Sequence, residues 1–146
     1  MASLLKIVDA ITGRLAVVDE LREFAEPPQG ALPPLAFPIV QGWEALAMGK
    51  TGLIQVDLEV VILTSETVRP QDGYRNLLRF VDHTGPASVF LALWDGNDTP
   101  AGTFGGLADT QLDTSSPGSF RVLGVEEMDA YQMYGGAIAV RVLTRG

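Results

Sequence analysis

The stretch from Leu53 to Leu63 constrains the fold more than any other part of the sequence. Apolar and polar side chains alternate along it, and successive side chains of an extended chain point to opposite faces. The pattern therefore predicts a long strand rather than a helix. Such a strand is not stable alone, so other elements must cover its apolar face. The apolar positions are Ile54, Val56, Leu58, Val60 and Ile62, and the polar positions are Gln55, Asp57 and Glu59.

Length and composition predict one globular domain over residues 1–146, with no metal centre. A chain of 146 residues buries roughly 70 % of its unfolded surface, so it needs neither a metal nor a disulfide to fold. It has no cysteine and one histidine, His83, which excludes disulfides, thiolate catalysis and multi-histidine metal sites. The formal net charge of −8 predicts repulsion of nucleic acid, because DNA affinity comes mostly from Lys and Arg.

The N-terminal segment bears on the compartment in which the protein is made. Lys6 and Asp9 interrupt its apolar run, which is not the layout of a secretory leader. No segment reaches the roughly 20 apolar residues that a membrane helix needs. We therefore expect a protein made in the cytoplasm that does not bind a membrane.

The remaining periodicity predicts the element order helix, three strands, two helices, two strands. Prolines predict that a possible strand over 35–41 lies at the sheet edge or has the prolines in its first residues, and glycines predict a loop over 41–52. This order predicts an α+β fold, in which one mainly antiparallel β-sheet has an N-terminal helix and two central helices packed on one face. The other predicted elements are helices over 4–19, 70–82 and 87–94, strands over 21–26, 107–112, 120–126 and 131–144, and a loop over 95–119 around the weak strand 107–112.

No stretch carries a complete catalytic or cofactor-binding signature. Residues 49–51 match the end of a phosphate-binding P-loop, but Glu44 stands where its first glycine belongs. Asp57 and Glu59 share a strand face, as the paired acids of a glycosidase could, yet the sequence predicts no enclosing pocket. We therefore predict a protein that is not an enzyme and has no cofactor. A small hydrolase using this acid pair and a small ligand-binding module stay as alternatives.

Two stretches in the second half carry a family resemblance. Residues 84–93 have a Gly-Pro-x-Ser-Val entry into a short helix, and residues 134–142 have an aromatic-Gly-x-Ala lead into an alternating last strand. Together with the N-terminal helix, the proline-rich strand at Phe37-Pro38 and the long central strand, they make the chain resemble the tail terminator proteins of long-tailed bacteriophages. This is the family of the minor tail protein U of phage lambda, and the resemblance covers nearly the whole chain in layout.

The resemblance implies a structural protein of the virion that assembles in the host cytoplasm. Family members form a ring, usually a homo-hexamer, which caps the tail tube, stops its polymerisation and contacts the head-completion or neck proteins. DNA passes through such a ring without specific binding. A neck adaptor on the capsid side, within the same structural class, is the alternative position.

Two sets of residues are candidates for these roles. Gln55, Asp57 and Glu59 lie on the strand face that helices leave uncovered, so we expect them to line the channel and to repel DNA. Large apolar side chains in predicted loops are candidates for contacts with another subunit or the tube, since exposing them is unfavourable unless a partner covers them. Their alternative is packing onto the chain's own core. The contact candidates are Trp43, Leu46, Met48, Phe104 and Leu107.

Overall fold

A computed structural model describes most of the chain. Its described residues are 2–18, 20–28, 33–47, 52–65, 70–95, 107, 109–113, 118–131 and 133–145. The helices are α1 (Leu4–Leu15), α2 (Pro70–Val81), α3 (Val89–Asp95) and α4 (Val125–Tyr131). The strands are β1 (Arg22–Glu23), β2 (Leu35–Ala47), β3 (Leu53–Ser65), β4 (Thr110–Leu112), β5 (Ser119–Val122) and β6 (Tyr134–Arg145).

The strands form one sheet with β3 at its centre. The order across the sheet is β1-β2-β3-β6-β4, and β5 also pairs with β6. Every pairing is antiparallel except that of β1 with β2. The predicted α+β class, with a mainly antiparallel sheet and an N-terminal helix, is confirmed.

The larger core lies between the sheet and helices α1, α2 and α3. Val56, Leu58, Val60 and Ile62 of β3 are buried in it, and Ile54 is partly buried against it. From the helices, Ile7, Ile11 and Leu15 of α1 form a stripe four residues apart, and Leu77, Phe80, Val89 and Leu93 come from α2 and α3. The N-terminal helix and the two central helices therefore cover the apolar face of the central strand, as the alternation predicts.

A second, smaller core lies on the opposite face, and the sequence did not predict it. Val61 and Leu63 point to the same face as Asp57 and Glu59, because they are also odd-numbered positions of β3. There they meet α4, whose Met128 and Tyr131 pack against them. The other members of this core are Leu35, Phe37, Leu123 and Ala137.

Several predicted boundaries are wrong. The loop predicted over 41–52 is strand as far as Ala47, because β2 pairs with β3 along nearly its whole length through two register shifts, at Gln41 and Leu46. These bulges let the strand continue past Gly42. Residues 37–41, which include Pro38, lie on the described edge of the sheet as predicted, and only Leu35 and Ala36 lie between β1 and β3. The N-terminal helix ends at Leu15 rather than at 19.

Candidate functional site

The polar face of β3 is the best candidate for a functional surface. Gln55, Asp57 and Glu59, the predicted channel-lining residues, lie together there, beyond the small core. Neighbouring strands contribute Arg141 of β6, which is the direct cross-strand partner of Asp57, and Arg121 of β5. Helix α4 contributes Glu127. We call these six residues the polar face cluster.

Asp57 is held by an arginine from the adjacent strand. Arg141 Nε donates to Asp57 Oδ1 over 2.8 Å, and the two residues are direct cross-strand partners. This hydrogen bond raises the pKa of Arg141. Opposite charges directly across an antiparallel pair stabilise that register. Asp57 therefore helps to set the alignment of β3 with β6.

Glu59 belongs to a three-residue network centred on Arg121. The guanidinium donates two hydrogen bonds to Glu59, of 3.1 and 3.0 Å, and two to Glu127, of 2.7 and 3.0 Å. Two bidentate contacts engage four of the five N–H donors of the guanidinium. Arg121 thereby ties the central strand to α4.

Glu127 also secures the start of α4. Its Oε1 accepts a hydrogen bond from the backbone N–H of Gly124 over 3.4 Å, which is the backward half of a capping box. Its hydrogen bonds from Arg121 lower the pKa of Glu127, and the same bonds raise the pKa of Arg121. At the start of the helix, the carboxylate of Glu127 therefore accepts hydrogen bonds both from Arg121 and from the backbone N–H of Gly124, which has no acceptor within the helix.

We expect the Arg121→Met variant to lose part of its stability near neutral pH, by up to about 1 kcal/mol for such exposed pairs. In the wild type the lowered pKa of Glu127 contributes stability above about pH 4.3, the unfolded value, and this is lost as pH falls through the folded pKa. Urea unfolding measured from pH 7 to pH 3 should show that the variant loses less free energy of unfolding on acidification than the wild type does. Arg75→Met, at an exposed residue of α2, is the control, and an unchanged pH profile in Arg121→Met contradicts the network.

A shallow depression of about 240 Å³ lies over this face, lined by Gln41, Asp57, Glu59 and Arg141 among others. Its volume is below the 300–1,000 Å³ of ordinary small-molecule sites. Both carboxylates accept hydrogen bonds from arginines, whereas the general acid of a glycosidase pair typically lies in an apolar pocket. The arrangement therefore gives little support to the hydrolase alternative.

The expectation of a bare acidic face needs correction. Helix α4 covers part of that face, and each acid of β3 is paired with an arginine. Acids are nevertheless in excess: Asp57, Glu59 and Glu127 are paired with Arg121 and Arg141, and Glu44 and Asp113 are close enough to Arg141 to raise its pKa. The described residues thus place five carboxylates around Arg121 and Arg141, and a third arginine, Arg145, lies on the same sheet face opposite Leu53.

The predicted contact residues fall in three different places. Trp43 and Leu46 lie on β2, not in a loop, and their exposed fractions are 61 % and 49 %. The alternative, in which these side chains pack onto the chain's own core, therefore does not hold for Trp43 and Leu46. Leu107 is half-buried against the larger core. Met48 and Phe104 lie outside the described residues.

Trp43 borders an apolar groove. A depression of about 240 Å³ is lined by Ala2, Ser3, Leu4, Trp43, Ile54, Val56 and Thr144. The backbone N–H of Ala2 donates to Thr144 Oγ1 over 2.9 Å, which fixes the N-terminal segment beside the end of β6. The groove thus lies at the junction of α1, β2 and β3.

Within the described ranges no group of three or more His, Cys, Asp or Glu side chains is placed to hold a metal ion. Those same ranges contain no helix long and apolar enough to cross a membrane. Neither a scan against models of known protein families nor a search of curated proteins finds a match to this chain.

Proposed function

We propose that the protein is a structural subunit that closes into a ring, caps the tail tube of a long-tailed bacteriophage and stops its polymerisation. In this proposal it belongs to the tail terminators and is part of the virion, assembled in the host cytoplasm. It contacts the tube on one side and a head-completion or neck protein on the other. The ring is a homo-oligomer, expected to be a hexamer, through which DNA passes.

The observation that carries the proposal is the two-sided character of the sheet. Helices α1, α2 and α3 pack on one face, and beyond α4 the other face bears the polar face cluster. A subunit of a closed ring needs this division, because its inner wall must stay hydrated while its outer layers pack.

The charge of the polar face suits a channel for DNA. Its excess of carboxylates repels phosphates, and Arg121 and Arg141 are both paired with acids. Both arginines of the polar face cluster are thus already paired when a duplex passes, which weakens their attraction for phosphates. Asp57 and Glu59 hold the arginines in place and keep the local charge negative.

Exchanging Asp57 and Glu59 for lysine should turn this face into a DNA-binding surface, because the arginines lose their acids and two cations are added. We expect the double variant to bind a short duplex at about 50 mM salt and to release it by about 200 mM, as electrostatic binding does. Fluorescence anisotropy measures this, and thermal melts verify that the variant is folded.

The matched control is the double variant Glu23→Lys with Glu26→Lys, which changes two exposed acids and gives the same net charge. We expect it to bind DNA far more weakly, since the new cations lie away from the polar face cluster. Equal binding by both variants would mean that net charge alone determines DNA binding, and would contradict the role proposed for the polar face cluster.

Mixing the protein with growing tail tubes tests the function itself. We expect labelled protein at one end of each tube, with a tube length that no longer increases once it is bound. Attachment to portal-side neck rings, with none at tube ends, would instead assign it to the capsid side of the neck. Binding to neither structure overturns the proposal.

A further inference from the structure

Part of β2 lies at an edge of the sheet. Strand β1 pairs with β2 only at Leu35 and Ala36, and no strand within the described ranges pairs with the outer side of residues 42–45. These four residues keep one register with β3, between the shifts at Gln41 and Leu46. We call residues 42–45 the β2 edge.

The β2 edge directs the backbone groups of two residues away from β3. In an antiparallel pair, residues that exchange hydrogen bonds with the partner strand alternate with residues whose backbone points the other way. Phe24 N–H donates to the carbonyl of Ala36 on the side away from β3. Because Ala36 is paired with Ile62, the β2 residues opposite even-numbered positions of β3 point outward. In the β2 edge these are Trp43 and Ala45, and no backbone group of the described residues bonds them on that side.

The side chains of the β2 edge differ between the two faces of the sheet. Trp43 is exposed on the helix-covered face and borders the apolar groove. Glu44 is exposed on the polar face, opposite Gln55, and within the described part of the chain it forms no ion pair. A strand added at this edge would therefore place one side chain beside an indole and the next beside a carboxylate.

Charge favours a basic partner over a second copy of the chain. Strand β2 contains no lysine or arginine. Pairing of the β2 edge with itself would bring two Glu44 side chains to one face of the junction, and like charges on neighbouring strands are destabilising. Edge strands that stay unpaired usually carry several charges or a proline, whereas the β2 edge carries Glu44 alone. This single carboxylate disfavours self-pairing and favours a strand with a cation opposite it.

We propose that the β2 edge binds an extended segment of a second protein, in which apolar residues alternate with lysine or arginine, as an additional strand of the sheet. Backbone hydrogen bonds to Trp43 and Ala45 provide affinity, and the side chains that meet Trp43 and Glu44 provide selectivity. The site adjoins the polar face cluster at Gln55, but it depends neither on the proposed ring nor on its channel.

A labelled peptide of about seven residues, in which valine alternates with lysine and both ends are capped, is the probe. Fluorescence anisotropy measures its binding in about 0.15 M salt, which screens charges beyond about 8 Å. A second peptide has proline in place of valine, so it keeps the charge and loses backbone donors. We expect the valine–lysine peptide to bind and the proline–lysine peptide not to bind.

Two substitutions in the β2 edge test the contacts separately. Glu44→Lys should weaken binding of the valine–lysine peptide about fivefold or more and create binding of a valine–glutamate peptide, because the cross-strand charges reverse. Ala45→Pro removes one outward N–H, a change that an edge strand tolerates, and should abolish binding of both. Glu126→Lys, at an exposed residue of α4, makes the same change in net charge and should leave binding unchanged.

Thermal melts verify that each variant is folded, and if Ala45→Pro unfolds, the charge reversal at Glu44 decides alone. Failure of the wild type to bind the valine–lysine peptide would overturn the proposal. Equal weakening by Glu44→Lys and Glu126→Lys would also overturn it, since the peptide would then respond to overall charge rather than to the edge. Dimers of the protein without peptide, lost in Ala45→Pro on analytical ultracentrifugation, would assign the edge to a second copy instead.

Discussion

Replacing Gly135 with alanine should unfold the protein or lower its melting temperature by roughly 10 °C or more. A Cβ at this position would collide with the carbonyl oxygen of Ile62 and lie 2.9 Å from Cδ2 of Leu63. Ile62 belongs to the central strand, which is paired on both sides, so its backbone has no room to move away. Overpacking of this kind costs up to about 3 kcal/mol, and occasionally more.

Gly13→Ala is the matched control for this substitution. Gly13 is an exposed residue of α1, and a Cβ added there meets nothing within 4 Å. Alanine should stabilise the helix by about 0.5–1 kcal/mol. Thermal melts of both variants test the pair, and a Gly135→Ala protein as stable as the wild type would mean that β6 does not approach β3 as closely as described.

Phe37→Ala should have the second large effect, because it removes the centre of the small core. Phe37 is fully buried, and its ring lies 5.9 Å from the ring of Tyr131 in an edge-on arrangement. Loss of a buried phenylalanine costs about 3–5 kcal/mol. We expect urea unfolding to report this loss, and hydrogen exchange to report earlier opening of α4 than of α1.

Phe120→Ala is the comparison, since the same side chain is removed from a residue that is 43 % exposed on β5. Its loss of folding free energy should be much smaller. Similar losses of folding free energy in the two variants, with unchanged hydrogen-exchange protection of α4, would mean that the small core does not hold this helix in place.

The central strand illustrates what the sequence predicts well. Alternation from Leu53 to Leu63 is a local pattern, and it is sufficient to assign Val56, Leu58 and Val60 to the core and Asp57 and Glu59 to the other face. The burial of these residues agrees with that assignment. The sheet class follows too, because the strand requires partners and the flanking elements have helical periodicity.

The arginine partners illustrate what the sequence could not predict. Arg141 lies 84 residues from Asp57, and Arg121 lies 62 residues from Glu59. Such pairs depend on which strands are neighbours and in what register, which no local pattern encodes. Once β3 and β6 are aligned, the pairing of Asp57 with Arg141 follows directly.

Helix α4 was missed for a different reason. It has only seven residues, Val125–Tyr131, and two acids in its first turn, so its apolar face is too short for a helical period to emerge. One signal was present: a glutamate three residues after Gly124, the spacing of a capping box. Because α4 was not predicted, the polar face of the sheet was expected to be uncovered.

Electron cryomicroscopy of the concentrated protein tests the central claim most directly. Closed rings are predicted, with α1, α2 and α3 on the outside and Asp57 and Glu59 facing a hole along the axis. Single globules, or rings in which the helices line the hole and the polar face cluster faces outward, would contradict it.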